Sequence, residues 1–255
     1  QIVAAAASFL DPHRISLAPC AGGPPSEVTA ANVVIAVGTT TTRDPDIAFD
    51  GEHIFTSDDI LDLHDLPKSL TVIGAGVIGI EYATIFATLG VRVTVVDKRL
   101  RVLPFVDEEI IDNLVHLMRQ ERVTLRLGEE VSGIEVVDGE QGQKVHISLK
   151  SGKHIHSETV LYSIGRTGAT AGLNLDAAGV SADNRGRITV NAGYQTEVDH
   201  IYAVGDVIGF PALASTSMEQ GRLAACRAFG VQANSFPNLL PYGIYTIPEI
   251  SVVGK

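Results

Sequence analysis

Six consecutive residues with the spacing Gly-x-Gly-x-x-Gly have the pattern of a turn that holds the pyrophosphate of a dinucleotide. They are Gly74, Ala75, Gly76, Val77, Ile78 and Gly79, and they stand between an apolar segment and a segment of helical periodicity. In such a turn the first glycine allows the bend, the second lets the backbone approach the pyrophosphate, and the third permits close helix–strand packing. The phosphates would lie at the helix N-terminus, where free N–H groups favour anions. The context predicts a nicotinamide dinucleotide site, against the alternative of a glycine-rich turn without a ligand.

Charged residues follow the next apolar segment, about 20 residues past the glycines, where the acid of a dinucleotide site is expected. Asp97 is placed to bond the adenine ribose diol of NAD(H). Lys98 and Arg99 come directly after it, and either could pair with the 2′-phosphate of NADP(H) or remain a solvated surface charge. The mixture predicts tolerance of both coenzymes, weighted toward NAD.

Three further residues belong to the nicotinamide half of this predicted site. Glu81 lies on the motif helix and could orient the nicotinamide carboxamide or pair with a structural lysine. Gly165 and Arg166 follow a later apolar segment, at the carboxyl end of the predicted sheet, where ligands of this fold class bind.

A second candidate site follows the apolar segment that ends in Gly205 and Asp206. An aspartate in this position can accept hydrogen bonds from a ribityl chain, and the turn after it can offer N–H groups to phosphates. The helix predicted over 216–229 begins too far away for Asp206 to be its N-cap.

The elements that would position these residues alternate between strand and helix. Strands are predicted over 33–37, 70–73, 91–96, 134–136, 145–149 and 159–164, after a β-rich opening; helices are predicted over 57–63 (capped by Ser57), 78–89 and 107–121. This βαβαβ order with an antiparallel insertion predicts an α/β fold. We expect a Rossmann-type domain near residues 66–191, with a mainly parallel sheet covered by helices on both faces.

One internal similarity extends this interpretation. The segment 32–38 (NVVIAVG) resembles 159–165 (TVLYSIG), each an apolar strand that ends in glycine. If the two play the same part, the first belongs to a second dinucleotide-binding domain; chance similarity of two buried strands is the alternative.

Composition excludes several classes of function. A net charge of −11 disfavours binding to nucleic acid and to anionic membranes. No apolar run approaches the ~18 residues of a membrane helix, and neither end resembles a targeting signal, so we expect a cytoplasmic protein. The two cysteines form no CxxC motif, and His154 and His156 share a strand face without a recognisable third ligand, so no metal site is predicted.

Several motifs together resemble the flavoprotein disulfide reductase family, whose members include dihydrolipoyl dehydrogenase and glutathione reductase. The motifs are TVIGAGVIGIEYA (71–83), YAVGD (202–206), VVIAVG (33–38), GRTG (165–168), NAGYQT (191–196), GDVIGFPALAS (205–215) and GIYTIPEISVVGK (243–255). Within the family they are most similar to the members that transfer hydride between pyridine nucleotides, and the resemblance covers essentially the whole chain.

The resemblance implies a domain map and a set of cofactor contacts. Residues 1–66 and 192–240 would belong to an FAD domain, 67–191 to the NAD(P) domain inserted in it, and 241–255 to the start of a dimerisation domain. Contacts to FAD are implied for Gly38, Thr39, Asp206 and Ala214; Val131 and Gly165 would join the glycine motif and Asp97 in binding NAD(P). The implied activity passes hydride from NADPH through FAD to NAD+ without a protein acid or base, in a homodimeric parent protein.

The departures from the family pattern keep two alternatives open. The N-terminal FAD glycine motif, the helix with the redox dithiol and the C-terminal His–Glu pair do not occur in these 255 residues. We therefore interpret the chain as a piece of a longer protein, and we expect the isolated piece to be inactive. The alternatives are a dihydrolipoyl dehydrogenase or related flavin disulfide reductase, and a non-catalytic dinucleotide-binding module.

Overall fold

The computed structural model describes residues 1–139, 142–233 and 239–253. The chain divides into two compact units: residues 1–40 with 166–238, and residues 41–165 with 239–255. These divisions fall at other positions than the predicted domain boundaries at 66/67, 191/192 and 240/241. The assignment of the pieces to particular cofactors stays a prediction.

The unit formed by residues 41–165 and 239–255 has the βαβαβ order that the sequence predicts. The preceding strands of the chain are β1 (Ala5–Asp11), β2 (Arg14–Pro19), β3 (Ser26–Thr29), β4 (Val33–Ile35) and β5 (Thr39–Thr41). This unit then contains β6 (Ile54–Thr56), β7 (Ser69–Ile73), α1 (Val77–Thr88), β8 (Arg92–Asp97), α2 (Glu108–Gln120), β9 (Thr124–Leu127), β10 (Val131–Gly139), β11 (Gly142–Leu149), β12 (His154–Ser157) and β13 (Thr159–Tyr162).

A five-stranded sheet in the order β6-β13-β7-β8-β9 forms the centre of this unit, and its neighbouring strands are parallel. Every residue of β7 is buried, as expected of a central parallel strand that is covered on both faces. The sequence prediction missed β6 and β9, the two edge strands. Both are short, so neither shows enough of a period to be distinguished from a loop.

The two faces of the parallel sheet are covered by different structures, which corrects the prediction of helices on both. Val72, Val95 and Leu161 pack with α1 and α2 in one core. Ile73 and Tyr162, one residue further along, pack in a second core with Ile134, Val145, Ile147 and Leu149 of the antiparallel sheet β10-β11-β12. The insertion is therefore a layer of the fold: successive strand residues point to opposite faces, and its apolar residues cover the second face.

The two helices differ because their surroundings differ. α1 is apolar on most sides, since it packs on the parallel sheet within a core that also includes Ile244 and Ile250. These two residues belong to the hairpin of β16 (Pro241–Ile244) and β17 (Ile250–Val253). α2 buries only one stripe, and its N-cap Asp107 accepts a 3.0 Å hydrogen bond from the Glu109 amide. The helix predicted over 57–63 is one 3₁₀ turn, Ile60–Asp62, with Asp59 rather than Ser57 at its N-cap.

The other unit contains the antiparallel sheet β1-β2-β3 and the parallel pair of β4 with β15 (Ile201–Ala203). It also contains β14 (Arg166–Gly168), the 3₁₀ helices Leu175–Ala178 and Gly205–Ile208, and α3 (Ala214–Ala228). Strands β4 and β13, which the internal similarity relates, are thus both parallel strands followed by a glycine of positive φ, Gly38 at 66° and Gly165 at 138°.

Over the described ranges, the helices are too short or too polar for any of them to cross a membrane.

Candidate dinucleotide site

The glycine turn lies between the end of β7 and the start of α1, at the carboxyl edge of the parallel sheet. Gly74 has φ +111°, and a Cβ there would lie 2.5 Å from the carbonyl oxygen of Ser163. A Cβ on Gly79 would lie 2.0 Å from the carbonyl oxygen of Gly74. The first and third glycines are therefore required by the fold itself, whatever the turn binds.

Gly76 is different, because nothing in the protein demands a glycine there. Its φ of −81° and ψ of −178° are open to other residues, and its nearest potential Cβ neighbour is Arg99 Nη2 at 3.9 Å. Gly76 is the N-cap of α1 and has no side chain to cap it, and Val77 and Ile78 form the first helical positions. The turn thus leaves open space beside helical N–H groups, which is the arrangement that anions occupy at helix N-termini.

Asp97 at the end of β8 is tied to the glycine turn. Its Oδ2 accepts a 2.6 Å hydrogen bond from the Ala75 amide, and Val96 O accepts a 2.8 Å bond from the Gly74 amide. The side chain of Arg99 pairs with the same carboxylate through Nε at 2.9 Å and Nη2 at 2.6 Å. The structure therefore brings together Asp97, Arg99 and the glycine turn, while Lys98 is exposed.

The protonation state of Asp97 is held firmly. Burial by itself would raise the pKa of the carboxyl group, but the hydrogen bonds from Arg99 and Ala75 outweigh it, and the pKa lies below the ordinary value of 3.8. The same pairing raises the pKa of the Arg99 guanidinium. Both groups are charged at neutral pH, so the site carries a compensated ion pair instead of an isolated carboxylate.

Ser163, directly after β13, is a residue that the sequence reasoning missed. Its amide and its hydroxyl donate to the carbonyl oxygen of Ile73, at 2.8 and 3.0 Å. The hydroxyl also lies 2.7 Å from the position of a Cβ on Gly79. The available signal was a small polar residue at the end of a strand parallel to β7, since the ends of parallel neighbours meet at one edge of a sheet.

Gly165 and Val131, which were also predicted to bind NAD(P), belong to the same unit as the glycine turn. Gly165 is exposed two residues past Ser163, and its carbonyl accepts a 3.1 Å bond from the Thr42 amide. Val131 begins β10 and is half-buried; the chain just before it is held to β8 by a 3.1 Å bond from the Glu129 amide to Asp97 O.

Glu81 has a partner that the sequence did not anticipate. Its Oε1 accepts a 2.8 Å hydrogen bond from the Tyr245 amide, and one helical turn further on Thr84 Oγ1 accepts a 3.1 Å bond from the Ile247 amide. The predicted alternatives were the nicotinamide carboxamide and a structural lysine. In the structure Glu81 holds a backbone N–H of the segment between β16 and β17.

Of the residues predicted to contact FAD, Gly38 and Thr39 follow β4, Asp206 follows β15 and Ala214 begins α3, all in the other unit. The Val204 amide donates to Ile35 O at 3.0 Å, which aligns the two strand ends that lead to Gly38 and Asp206. Arg166, which the sequence placed in the nicotinamide half, binds Thr39 through Nε to Oγ1 at 2.8 Å and Nη2 to the carbonyl at 2.9 Å.

Asp206 is half-buried in the 3₁₀ helix that follows β15, and among the described residues none donates a hydrogen bond to its carboxylate. Its position is supported by Gln220, a buried residue of α3 whose Oε1 accepts a 2.7 Å bond from the Gly205 amide. The sequence reasoning missed Gln220, although Thr216, Gln220 and Ala224 have the four-residue spacing of a buried helix stripe. Ala214 begins α3 and is exposed, and the N-cap Leu213 provides no side-chain cap.

The histidines on the antiparallel sheet form a larger group than the sequence indicated. His146 of β11 lies beside both predicted residues, with its Nε2 3.0 Å from Nδ1 of His154 and its ring centroid 4.9 Å from that of His156. Within the described ranges, no group of three or more His, Cys, Asp or Glu side chains has an arrangement that could hold a metal ion.

A parallel sheet with a glycine turn at its carboxyl edge and an acid at the end of the next strand is the arrangement typical of dinucleotide-binding proteins. The comparison with known families is more specific: the pyridine nucleotide-disulphide oxidoreductase family matches residues 2–221. The chain belongs to this family. The predicted α/β fold and the predicted family resemblance are both confirmed.

The chain is similar to curated proteins named soluble pyridine nucleotide transhydrogenase. It is 52% identical to the one from Mycobacterium tuberculosis strain H37Ra over 246 residues, which are 96% of this chain and 52% of that protein. It is 47% identical to the one from Colwellia psychrerythraea over 252 residues, 98% of this chain and 53% of that protein. The chain thus spans about half the length of the curated relatives it matches.

Solved structures agree with the fold. The crystal structure of LpdA from Mycobacterium tuberculosis has a TM-score of 0.92 and 30% sequence identity, covering 100% of this chain and 56% of that one. The flavoprotein disulfide reductase RclA from Escherichia coli has a TM-score of 0.88 and 26% identity, covering 98% of this chain and 56% of that one.

Proposed function

We propose that this chain is the NAD(P)-binding part, with adjoining FAD-domain segments, of a flavin-dependent pyridine nucleotide transhydrogenase that passes hydride from NADPH to NAD+. The observation that carries the proposal is the glycine turn, with the Asp97–Arg99 pair fixed beside it. The names of relatives at 44–52% identity support it. On this proposal residues 1–66 and 192–240 serve FAD, 67–191 serve NAD(P), and 241–255 begin a dimerisation domain.

The residues present fit a nicotinamide dinucleotide. The open space at Gly76 would admit the pyrophosphate against the α1 N-terminus. Asp97 and Arg99, with Lys98, would meet the adenine ribose, and Val131 and Gly165 would contact the coenzyme further along the sheet edge. The role of the protein in such a site is positioning: the chain would hold and orient the dinucleotide, while the coenzyme carries the reactive carbon.

The residues predicted for FAD also fit their ligand. The half-buried Asp206 carboxylate, without a donor among the described residues, suits the hydroxyls of a ribityl chain. Gly38 and Thr39 lie at the neighbouring strand end, and Ala214 stands at a helix N-terminus without a side-chain cap. FAD, when bound, would supply the hydride acceptor and donor between the two nicotinamides.

A single nicotinamide site has a kinetic consequence. Because the unit of residues 41–165 and 239–255 carries one glycine turn, NADPH and NAD+ would use the same residues in alternation. The chain needs no acid or base for this exchange, since hydride moves between cofactors and no proton is transferred to a protein group. The protein that carries this chain would act in the cytoplasm as a homodimer, with nicotinamide dinucleotides and neither nucleic acid nor membrane as its partners.

The decisive experiment measures initial rates of the full-length protein with NADPH and a thio-NAD+ acceptor. We expect transhydrogenation with ping-pong kinetics, seen as parallel lines in double-reciprocal plots. Rapid turnover of dihydrolipoamide or glutathione disulfide with negligible transhydrogenation would identify a disulfide reductase instead. Nucleotide binding without either activity would identify a binding module.

A further inference from the structure

The carboxylate of Asp97 has no acceptor capacity left for a ligand. Its two oxygens receive four hydrogen bonds: from the Ala75 amide at 2.6 Å, the Arg99 amide at 2.7 Å, Arg99 Nε at 2.9 Å and Arg99 Nη2 at 2.6 Å. A carboxylate offers about four lone-pair sites. Its side chain is also only 6% exposed. A ribose diol can therefore bond to Asp97 only if one of these donors leaves.

The Arg99 side chain is the donor that can leave. Two of the four donors are backbone amides, and the Ala75 amide belongs to the glycine turn itself. The Arg99 side chain is 44% exposed and flexible, so its guanidinium can rotate into solvent without disturbing the turn. The sequence pattern, read as a free acid, predicted a preference for NAD; the observed pairing adds a cost to NAD(H) binding.

The paired guanidinium keeps donors for a second partner. Arginine has five N–H groups in a fixed plane, of which two are used on Asp97. Its Nη2 lies 3.9 Å from the potential Cβ position of Gly76, so it borders the open space of the turn. A 2′-phosphate could bind the remaining N–H groups while Asp97 stays neutralised by the ion pair.

We propose that Arg99 is a two-position coenzyme selector. Paired with Asp97, it presents its free N–H groups to the 2′-phosphate of NADP(H); released from Asp97, it exposes the carboxylate to the ribose diol of NAD(H). This inference rests on the proposed function and adds the means by which one site accepts both coenzymes. A side chain with two positions would bring the affinities for NAD(H) and NADP(H) closer together, whereas a fixed acid or a fixed base would favour one of them.

The test compares dissociation constants of NADH and NADPH by calorimetry for the wild-type chain and Arg99→Gln. We expect NADPH to bind about tenfold more weakly and NADH about threefold to tenfold more tightly, because the variant loses the phosphate donor and frees Asp97. Arg99→Lys, which keeps the charge without the planar fork, should fall between the two. Arg92→Gln is the matched control: the same charge change on an exposed residue at the opposite end of β8.

The selector predicts that Arg99→Gln changes the affinities for NADPH and NADH in opposite directions. Equal weakening of both by Arg99→Gln, with an unchanged melting temperature, would overturn the selector and leave the dinucleotide site standing. An unchanged ratio in both Arg99 variants would overturn it as well. Failure of the wild-type chain to bind either coenzyme would overturn the proposed function, and the selector with it.

Discussion

The amide of Ala75 and the carboxylate of Asp97 are joined by a 2.6 Å hydrogen bond between residues 22 positions apart in the chain. It links the middle of the glycine turn to the end of the next strand, because β7 and β8 are parallel neighbours whose carboxyl ends meet. The residue predicted to read the ribose thus also shapes the turn that would hold the pyrophosphate. Any substitution of Asp97 will change both.

The contrast between Gly76 and Gly79 separates binding from folding. Gly76→Ala places a methyl group in open space, so we expect the free energy of unfolding to change by less than about 0.5 kcal/mol. NADH affinity should nevertheless fall about tenfold or more, because the methyl group occupies the approach of the pyrophosphate. Denaturant unfolding and NADH titration of one preparation check both statements; unchanged affinity would remove the turn from the site.

Gly79→Ala should destabilise the fold, in contrast to Gly76→Ala. The added Cβ would lie 2.0 Å from Gly74 O and 2.7 Å from Ser163 Oγ, so backbone must move. Overpacking of this kind costs about 1–3 kcal/mol. We expect a lower denaturation midpoint for Gly79→Ala than for Gly76→Ala, and equal midpoints would contradict the packing described here.

Asp97 should make stability depend on pH in the acid range. Because its folded-state pKa is lowered below 3.8, its contribution is complete above the unfolded pKa and is lost as the pH falls through the folded one. The difference in unfolding free energy between wild type and Asp97→Asn should be constant above about pH 5 and shrink below about pH 4. Urea unfolding at several pH values measures it. If the difference in unfolding free energy between wild type and Asp97→Asn is the same above about pH 5 and below about pH 4, the pKa of Asp97 is not lowered in the folded protein.

Glu81 should act as an anchor for the segment between β16 and β17. Glu81→Ala leaves the Tyr245 amide without its acceptor, whereas Glu81→Gln keeps an oxygen in place. We expect Glu81→Ala to lose about 1–2 kcal/mol and to accelerate hydrogen exchange at Tyr245 and Ile247, with Glu81→Gln close to wild type. If Glu81→Gln instead weakens NADH binding at full stability, the carboxamide role is the better interpretation.

Gln220 should be needed to position Asp206. Gln220→Leu fills a similar volume but leaves the buried Gly205 amide unpaired, which costs about 1–3 kcal/mol. In the full-length protein this should lower the flavin content, measured by visible absorbance after purification. Glu219→Gln, at a neighbouring position on α3 whose carboxylate pairs with Arg222, is the control and should retain flavin. Loss of flavin in both variants would indicate general damage to α3.

The sequence by itself determined the α/β class, the glycine turn with its acid at the end of the next strand, and the positions of the central strands. These features are local: a hydrophobic period, a turn that needs glycine and an apolar run can each be recognised within a short stretch of sequence. For the same reason α1 and α2 could be predicted to within one or two residues. The edge strands β6 and β9 are too short to show a recognisable period.

Only the tertiary structure decided what those residues touch. It showed that the Asp97 carboxylate already accepts four hydrogen bonds, from Arg99 and Ala75. It also showed that Glu81 accepts a hydrogen bond from the Tyr245 amide, and that the antiparallel strands cover one face of the parallel sheet. The hydrogen bonds of Ser163 and Gln220 likewise depend on contacts between separate strands and helices. Hydrogen bonds and packing depend on distances in space, and a pattern along one chain contains periods but not the partners that folding brings together.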